Sequence, residues 1–347
     1  MVVRPLRFEG YEDLDDRPHV MVDGAARRSS VATLSHWPQS PTPRWLARDL
    51  SAEIVLDYLR LASGASRPRI ARRDRASLAA LVASVALAEA VTNDHFDEDG
   101  VMSAFALVDP ASALDEAALV AAAASCGDFG VVGDDRAAQV AFSLGPIAAA
   151  AGATGTSDCY RAVLPVVGEL LERPDHYERY WREDFAALQA GRDAIATGQV
   201  TLSDVAGDLC VVKRVDASGA LLPGAEGGRP ISEVAINSAT KASRILSVDG
   251  DRCELTLRYE GWVRYVSRRI PLRPDLGPLA ARLSELEPSG VTWLADPVGT
   301  IVGRLAPGGE GRTEIPADQV AAVVVDYLAT APPCWDPFRP GGSYVPG

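Results

Sequence analysis

The chain has 347 residues, 47% of them apolar and 23% charged, a globular composition long enough for two domains and a sizeable core. A formal net charge of -13 and a pI near 4.8 argue against broad binding to long nucleic acid, because an acidic surface repels a phosphate backbone. Five scattered cysteines without a CxxC pair argue against a zinc ribbon or a disulfide scaffold; Met1 to Gly10 has no apolar signal-peptide core, and the longest apolar run, Ser77 to Ala88, is too short to span a bilayer, so a cytoplasmic protein without membrane contact is expected.

In chain order, Pro18 to Gly24 reads as a strand closed by the Asp23-Gly24 turn, and Ser30 to Trp37 as a β-branched strand ending at His36. Pro38, Pro41 and Pro43 then force a loop before an amphipathic helix over Asp49 to Leu59. Residues 61–73 read as a surface loop, Ala76 to Leu87 as a helix, and Glu89 to Asn93 as a short strand. Helices are predicted after Gly100, over Leu114 to Cys126, and at about 136–150, 158–172 and 175–197. The Gly-rich stretch Gly127 to Asp135 reads as a loop. Strands alternating with helices predict a parallel sheet flanked by helices, an α/β domain.

The composition changes near Gly198. Strand-like runs follow at Leu209 to Val215, Arg244 to Val248 and Cys253 to Val266, the last two joined by an Asp249-Gly250-Asp251 hairpin. Ala217 to Pro230 reads as a Gly-rich loop. A helix over Pro278 to Leu286, strands at Val291 to Leu294 and Ile301 to Leu305, and a helix over Ala317 to Ala331 complete a smaller α+β domain. The expected division is therefore 1–197, 198–331 and a poorly ordered Pro/Gly-rich tail over 332–347.

One stretch carries most of the chemistry: Val91 to Phe105, with His95, Asp97 and Asp99 at alternate positions before Gly100. Carboxylates so placed repel one another unless a cation lies between them, and oxygen ligands with an imidazole suit Mn²⁺, and next Mg²⁺, better than structural zinc. A metal there polarises a phosphoryl oxygen. Ser103, one turn into the helix, is placed to bind a phosphate or a ligand carboxylate. Simple capping by Asp97 or Asp99 is the plainer alternative, but it accounts for one carboxylate rather than three and a histidine. An EF-hand would need an oxygen ligand at His95 and a Glu at Ala106.

His95-x-Asp97-x-Asp99-Gly100-x-x-Ser103-Ala104 resembles the first motif of the DHH phosphoesterase superfamily. Ser35-His36-Trp37, followed by Asp49 and Ser51-Ala52-Glu53-Ile54-Val55, resembles that superfamily's Asp-His-His segment and the helix after it, with Ser35 and Trp37 in place of the Asp and the second His. The two segments stand in reversed order, as a circular permutation would leave them. The resemblance implies a DHH-like fold and two divalent metals, usually Mn²⁺, hydrolysing phosphodiesters. The whole chain also resembles an uncharacterised bacterial family, which implies no activity.

Further ligand candidates are His36, Asp23 and Asp128, the last as a bridging carboxylate. Asp134 and Asp135 read as helix caps, and His19 and His176 as structural. Arg258 to Arg269 interleaves bases with aromatics. Read as a strand, it puts Arg258, Glu260, Trp262 and Arg264 on one face, with Arg268 and Arg269 as anion binders at its end. Asn237, Ser238 and Thr240 form a polar cluster expected to line the cleft. The favoured function is a metal-dependent phosphoesterase acting on a small nucleotide or short oligonucleotide. Its rivals are a non-catalytic DHH-like module binding a nucleotide-type metabolite or a partner protein, and a hydrolase of other substrates. A homodimer is one option for the oligomeric state.

Overall fold

The structure, a computed structural model, describes residues 3–64, 71–222 and 231–345. Residues 65–70 of the first expected loop and 223–230 of the Gly-rich loop lie outside the described residues. The fold is mixed α/β, and the chain divides into two compact units: Met1–Ala186 with Tyr265–Ser267, and Ala187–Arg264 with Arg268–Gly347. The division falls inside a helix rather than at Gly198.

The first unit runs β1 (Arg7–Phe8), β2 (His19–Val22), β3 (Ser30–Leu34), α1 (Ser51–Ser63), α2 (Arg75–Leu87), β4 (Ala90–Thr92), α3 (Glu98–Val108), α4 (Pro110–Asp115), α5 (Ala117–Asp128), α6 (Asp135–Ala150), α7 (Thr156–Glu172) and the start of α8 (Glu178–Ala196). Its sheet has the order β1-β4-β2-β3 with every neighbouring pair parallel. All of β2 and β4 is buried, as the inner strands of a parallel sheet require. α1 buries Ile54, Val55, Tyr58 and Leu59 and stops at Gly64, whose φ of 71° is the left-handed conformation glycine adopts without strain. The single helix expected over Leu114 to Cys126 is instead two. Pro110 starts α4, with the Asp109 carboxylate accepting from Ser112 N at 3.2 Å, and the chain restarts at Glu116.

The second unit continues with β5 (Val200–Val205), β6 (Leu209–Arg214), α9 (Glu233–Ala239), β7 (Arg244–Asp249), β8 (Arg252–Leu257), β9 (Arg273–Pro274), α10 (Gly277–Leu286), β10 (Trp293–Ala295), β11 (Gly303–Pro307), α11 (Ala317–Thr330) and β12 (Pro333–Trp335). Six strands form one sheet in the order β10-β11-β8-β7-β6-β5, antiparallel except between β6 and β7. Alternation along β6 and β7 sends Leu209, Val211, Leu246 and Val248 into one core with Leu279, Leu283, Val320 and Val324, and Cys210, Val212 and Ile245 into another with Ile236.

Two expectations fail here. The strand predicted over Cys253 to Val266 ends at Leu257. Arg258 turns inward to pair with Glu260 at 2.8 Å, both 3% exposed, and donates to the Thr240 and Ala242 carbonyls at 3.3 and 3.1 Å. The chain then turns through a 3-10 segment at Tyr259–Gly261, so Arg258, Glu260, Trp262 and Arg264 share no strand face. The described part of the tail is also tied down: β12 pairs with β9, and buried Trp335 stacks on Trp262 and donates to its carbonyl at 3.0 Å. Among the described residues no helix is long and apolar enough to cross a membrane, and no disulfide joins the cysteines.

Candidate metal centre

Three adjacent parallel strands, β4, β2 and β3, deliver side chains at their carboxyl ends, where open α/β sheets hold ligands. Asp23 follows β2 directly and takes φ of 42°, a left-handed conformation that Asp tolerates better than most residues. His36 lies just past β3, and the loop from Asn93 to Asp97 leaves β4. Asn93 ties these ends together. Its Nδ2 donates to the Val22 and Asp23 carbonyls at 3.1 Å, and its Oδ1 accepts from His95 N at 2.7 Å.

The side chains converge in two groups sharing Asp23: Asp23, His95 and Asp97, and Asp23, His36 and Asp99, with the ligand atoms of each group within 4.8 Å of one another. His95 Nε2 lies 2.7 Å from Asp97 Oδ2 and 3.3 Å from Asp23 Oδ2. His36 Nε2 lies 3.2 Å from Asp23 Oδ1, 3.4 Å from Asp128 Oδ2 and 3.8 Å from Asp99 Oδ2. Asp128 is the last residue of α5 rather than part of a loop, yet it reaches the second group.

His36, His95, Asp23, Asp97 and Asp99 are each held from behind, which fixes the atom each presents. His36 Nδ1 donates to the Asp49 carbonyl and His95 Nδ1 lies 2.9 Å from Asp94 Oδ1, so both rings turn Nε2 to the cluster. Asp99 accepts from Ser51 N and Ala52 N, each at 2.7 Å, at the amino end of α1. Ser51 Oγ donates to Asp23 Oδ1 at 2.7 Å. Asp97 caps α3 through Gly100 N at 2.8 Å with Oδ1, leaving Oδ2 for His95. Capping therefore uses one oxygen of Asp97, while Asp99 caps a helix other than its own.

The crowding shows in the protonation energies. Burial pushes the Asp23 carboxyl up, but the adjacent imidazoles of His36 and His95 outweigh it and hold Asp23 well below the usual range. Burial, then the charge of Asp23, raises Asp99 to about 8 against the pull of His36 and the Ala52 amide. Asp97 is raised by burial and by Asp23, and Asp128 well above its ordinary value by burial and by Asp99, Asp97 and Asp23. Burial pulls both imidazoles down, yet Asp23 and the other carboxylates hold His36 and His95 above their ordinary value. Among the described residues, the buried oxygens Asp23 Oδ2 and Asp128 Oδ2 accept no hydrogen bond. Orphaned buried carboxylate oxygens beside imidazole nitrogens fit a divalent cation, which satisfies both.

The remaining predicted residues divide. Ser103 is fully buried, its hydroxyl 3.5 Å from Asp99 Oδ1, so it backs a ligand and is closed to a substrate. Arg264, Arg268 and Arg269 belong to the second unit; Arg268 lies 4.0 Å from Asp208, and Arg269 is exposed. Asp134 caps α6 through Arg136 N at 2.7 Å. His19 is buried between the Arg17 carbonyl and the Ser30 hydroxyl, and exposed His176 faces Glu169. Sequence reasoning passed over Asn93, Asp94 and Tyr160. The first two flank His95 and were legible as polar residues closing an apolar strand. Nothing local marks Tyr160, whose buried hydroxyl has no hydrogen-bond partner among the described residues.

No curated protein and no solved structure is significantly similar to this chain. A family model described as "Family of unknown function (DUF6687)" matches residues 4–339, nearly the whole chain, and the protein belongs to that family.

Proposed function

We propose that the first unit is a DHH-like metal-dependent phosphoesterase for a small nucleotide or a short oligonucleotide, using two divalent metals, Mn²⁺ in preference to Mg²⁺. The observation that carries this reading is the pair of His/Asp groups sharing Asp23. Asp23 offers one oxygen to each group, the role of a bridging carboxylate; His95 and Asp97 complete one set, and His36, Asp99 and Asp128 the other. One imidazole in each set favours Mn²⁺ over the more oxygen-demanding Mg²⁺. When bound, the metals supply Lewis acidity and neutralise charge on a phosphoryl group.

The chain's own residues do the positioning. The α1 amides orient Asp99, the Gly100 amide orients Asp97, and the Asp49 carbonyl and the Asp94 carboxylate aim the two rings. Among the described residues no Lys or Arg pairs with Asp23, Asp97, Asp99 or Asp128, so a phosphate at this cluster would be met by metal rather than by guanidinium. The resemblance gains support from the contact between its two segments: the Ser51-Ala52 amides of one hold Asp99 of the other, across 47 and 48 positions of sequence.

A second reading, a non-catalytic module, is favoured by Ser35. Where the superfamily carries an acid, Ser35 spends its hydroxyl accepting from Gly24 N and Trp37 N, each at 3.1 Å. Metal content of the purified protein, with hydrolysis of a panel from cyclic dinucleotides to 5-mers in Mn²⁺ and in EDTA, tests the proposal. Stoichiometric metal and EDTA-sensitive hydrolysis, both lost in Asp23→Asn, are expected. Metal-free protein inert toward every diester after Mn²⁺ loading would leave the binding module.

A further inference from the structure

The second unit holds a cavity of about 460 Å³ on the sheet face carrying Val212 and Ile245, with α9 as one wall. That size lies within the ~300–1,000 Å³ of small-molecule sites. Its described lining residues all belong to the second unit, and none of them is a candidate metal ligand. Val212, Ile236 and Ile245 give it an apolar floor.

Asn237 faces this cavity from α9. It is 6% exposed, and among the described residues its carboxamide makes no hydrogen bond. With no protein partner among the described residues and its amide opening onto the cavity, Asn237 has a donor and an acceptor to offer a ligand's polar edge.

Charge narrows the ligand. Among the described residues, Glu233, Asp249 and Glu254 line the cavity against one cation, Arg304, which stands 3.9 Å from Glu254. Asp249 is paired with Arg214 at 2.7 Å. The lining is thus net acidic and repels polyanions, the opposite preference to that of a phosphate site. A carboxamide presents donor and acceptor side by side and pairs with a planar heterocycle edge carrying the reversed pair.

We infer that this cavity is a binding site for an uncharged planar heterocycle with adjacent donor and acceptor groups, of nucleoside size, seated on the Val212/Ile236/Ile245 floor and read by Asn237. The site is separate in residues and in charge preference from the metal centre.

Calorimetric titration of the full-length protein in EDTA with adenosine, guanosine, cytidine and uridine, and with their 5′-monophosphates, tests this. At least one nucleoside binds at one site per chain, and its monophosphate binds more weakly. Asn237→Leu lowers nucleoside affinity about tenfold, the effect of losing a buried hydrogen-bonded pair. Glu254→Gln, at a half-buried strand position, narrows the gap between nucleoside and monophosphate. Three results would overturn the inference: no nucleoside binding at millimolar concentration, equal affinity for nucleoside and monophosphate, or a folded Asn237→Leu protein that binds as the unaltered chain does. If Asn237→Leu fails to fold, an unchanged gap in Glu254→Gln overturns it.

Discussion

Replacing Asp99 by Asn separates the strain of a crowded acidic cluster from the ordinary value of a helix cap. Asn matches Asp in size but stays neutral at every pH. In the metal-free protein Asp99 titrates at about 8 rather than 3.8, because burial and the charge of Asp23 penalise its ionised form. Between those values the folded chain keeps a proton that the unfolded chain has lost, so this group's contribution to stability falls as pH rises. Fully ionised, it carries a penalty on the order of 5 kcal/mol. Against that, Asn offers one oxygen where Asp99 accepts from both Ser51 N and Ala52 N at 2.7 Å, and a buried amide left unpaired costs about 1–3 kcal/mol. Urea unfolding in EDTA should therefore find Asp99→Asn within about 1.5 kcal/mol of the unaltered protein at pH 5, where the lost amide bond is offset by the roughly 1.6 kcal/mol of that penalty already incurred above pH 3.8. At pH 9 it should be more stable by roughly 2–4 kcal/mol, the difference of the two effects. Mn²⁺ at a hundred times its dissociation constant stabilises the unaltered protein by about 2.7 kcal/mol and offsets most of that difference at high pH. A variant destabilised equally from pH 5 to 9 would show that Asp99 is an unstrained cap, and the converging charges would lose their meaning.

Asp23→Asn keeps the left-handed backbone at low cost but removes the charge shared by both groups, so metal analysis should fall from two ions to at most one, and metal-dependent hydrolysis should drop by at least ~100-fold. Gly100→Ala would place a methyl 2.4 Å from the Tyr160 hydroxyl and 2.7 Å from Asn93 Nδ2, so thermal melts should register a loss of about 2 kcal/mol or more. Tyr160→Phe removes a buried hydroxyl that has no hydrogen-bond partner among the described residues; alone it should be neutral or stabilising by up to ~1 kcal/mol, and combined with Gly100→Ala it should recover part of that loss. Arg258→Met leaves Glu260 buried without its partner and should cost about 3–5 kcal/mol in denaturant unfolding, whereas Arg258→Met with Glu260→Leu should cost much less.

Local order along the chain determined a great deal. The alternation of β-branched and apolar residues marked β2, β3 and β4, apolar residues at helical spacing marked α1, α6 and α7, and Asp249-Gly250-Asp251 marked the β7–β8 hairpin. His95, Asp97 and Asp99 were legible because their spacing is itself the chemistry: alternate positions crowd like charges within one turn. What the tertiary structure alone decided is who meets them. The sheet order β4-β2-β3 brings Asp23 and His36 to the same edge, and the end of α5 adds Asp128. The same limit misled the reading of Arg258 to Arg264. Alternation of side chains says strand only if the backbone goes on pairing, and here the burial of an Arg258–Glu260 pair turned the chain away. Periodicity encodes which face a residue shows. Which distant residue it faces depends on how strands are ordered and helices packed, and no window of neighbouring residues contains that.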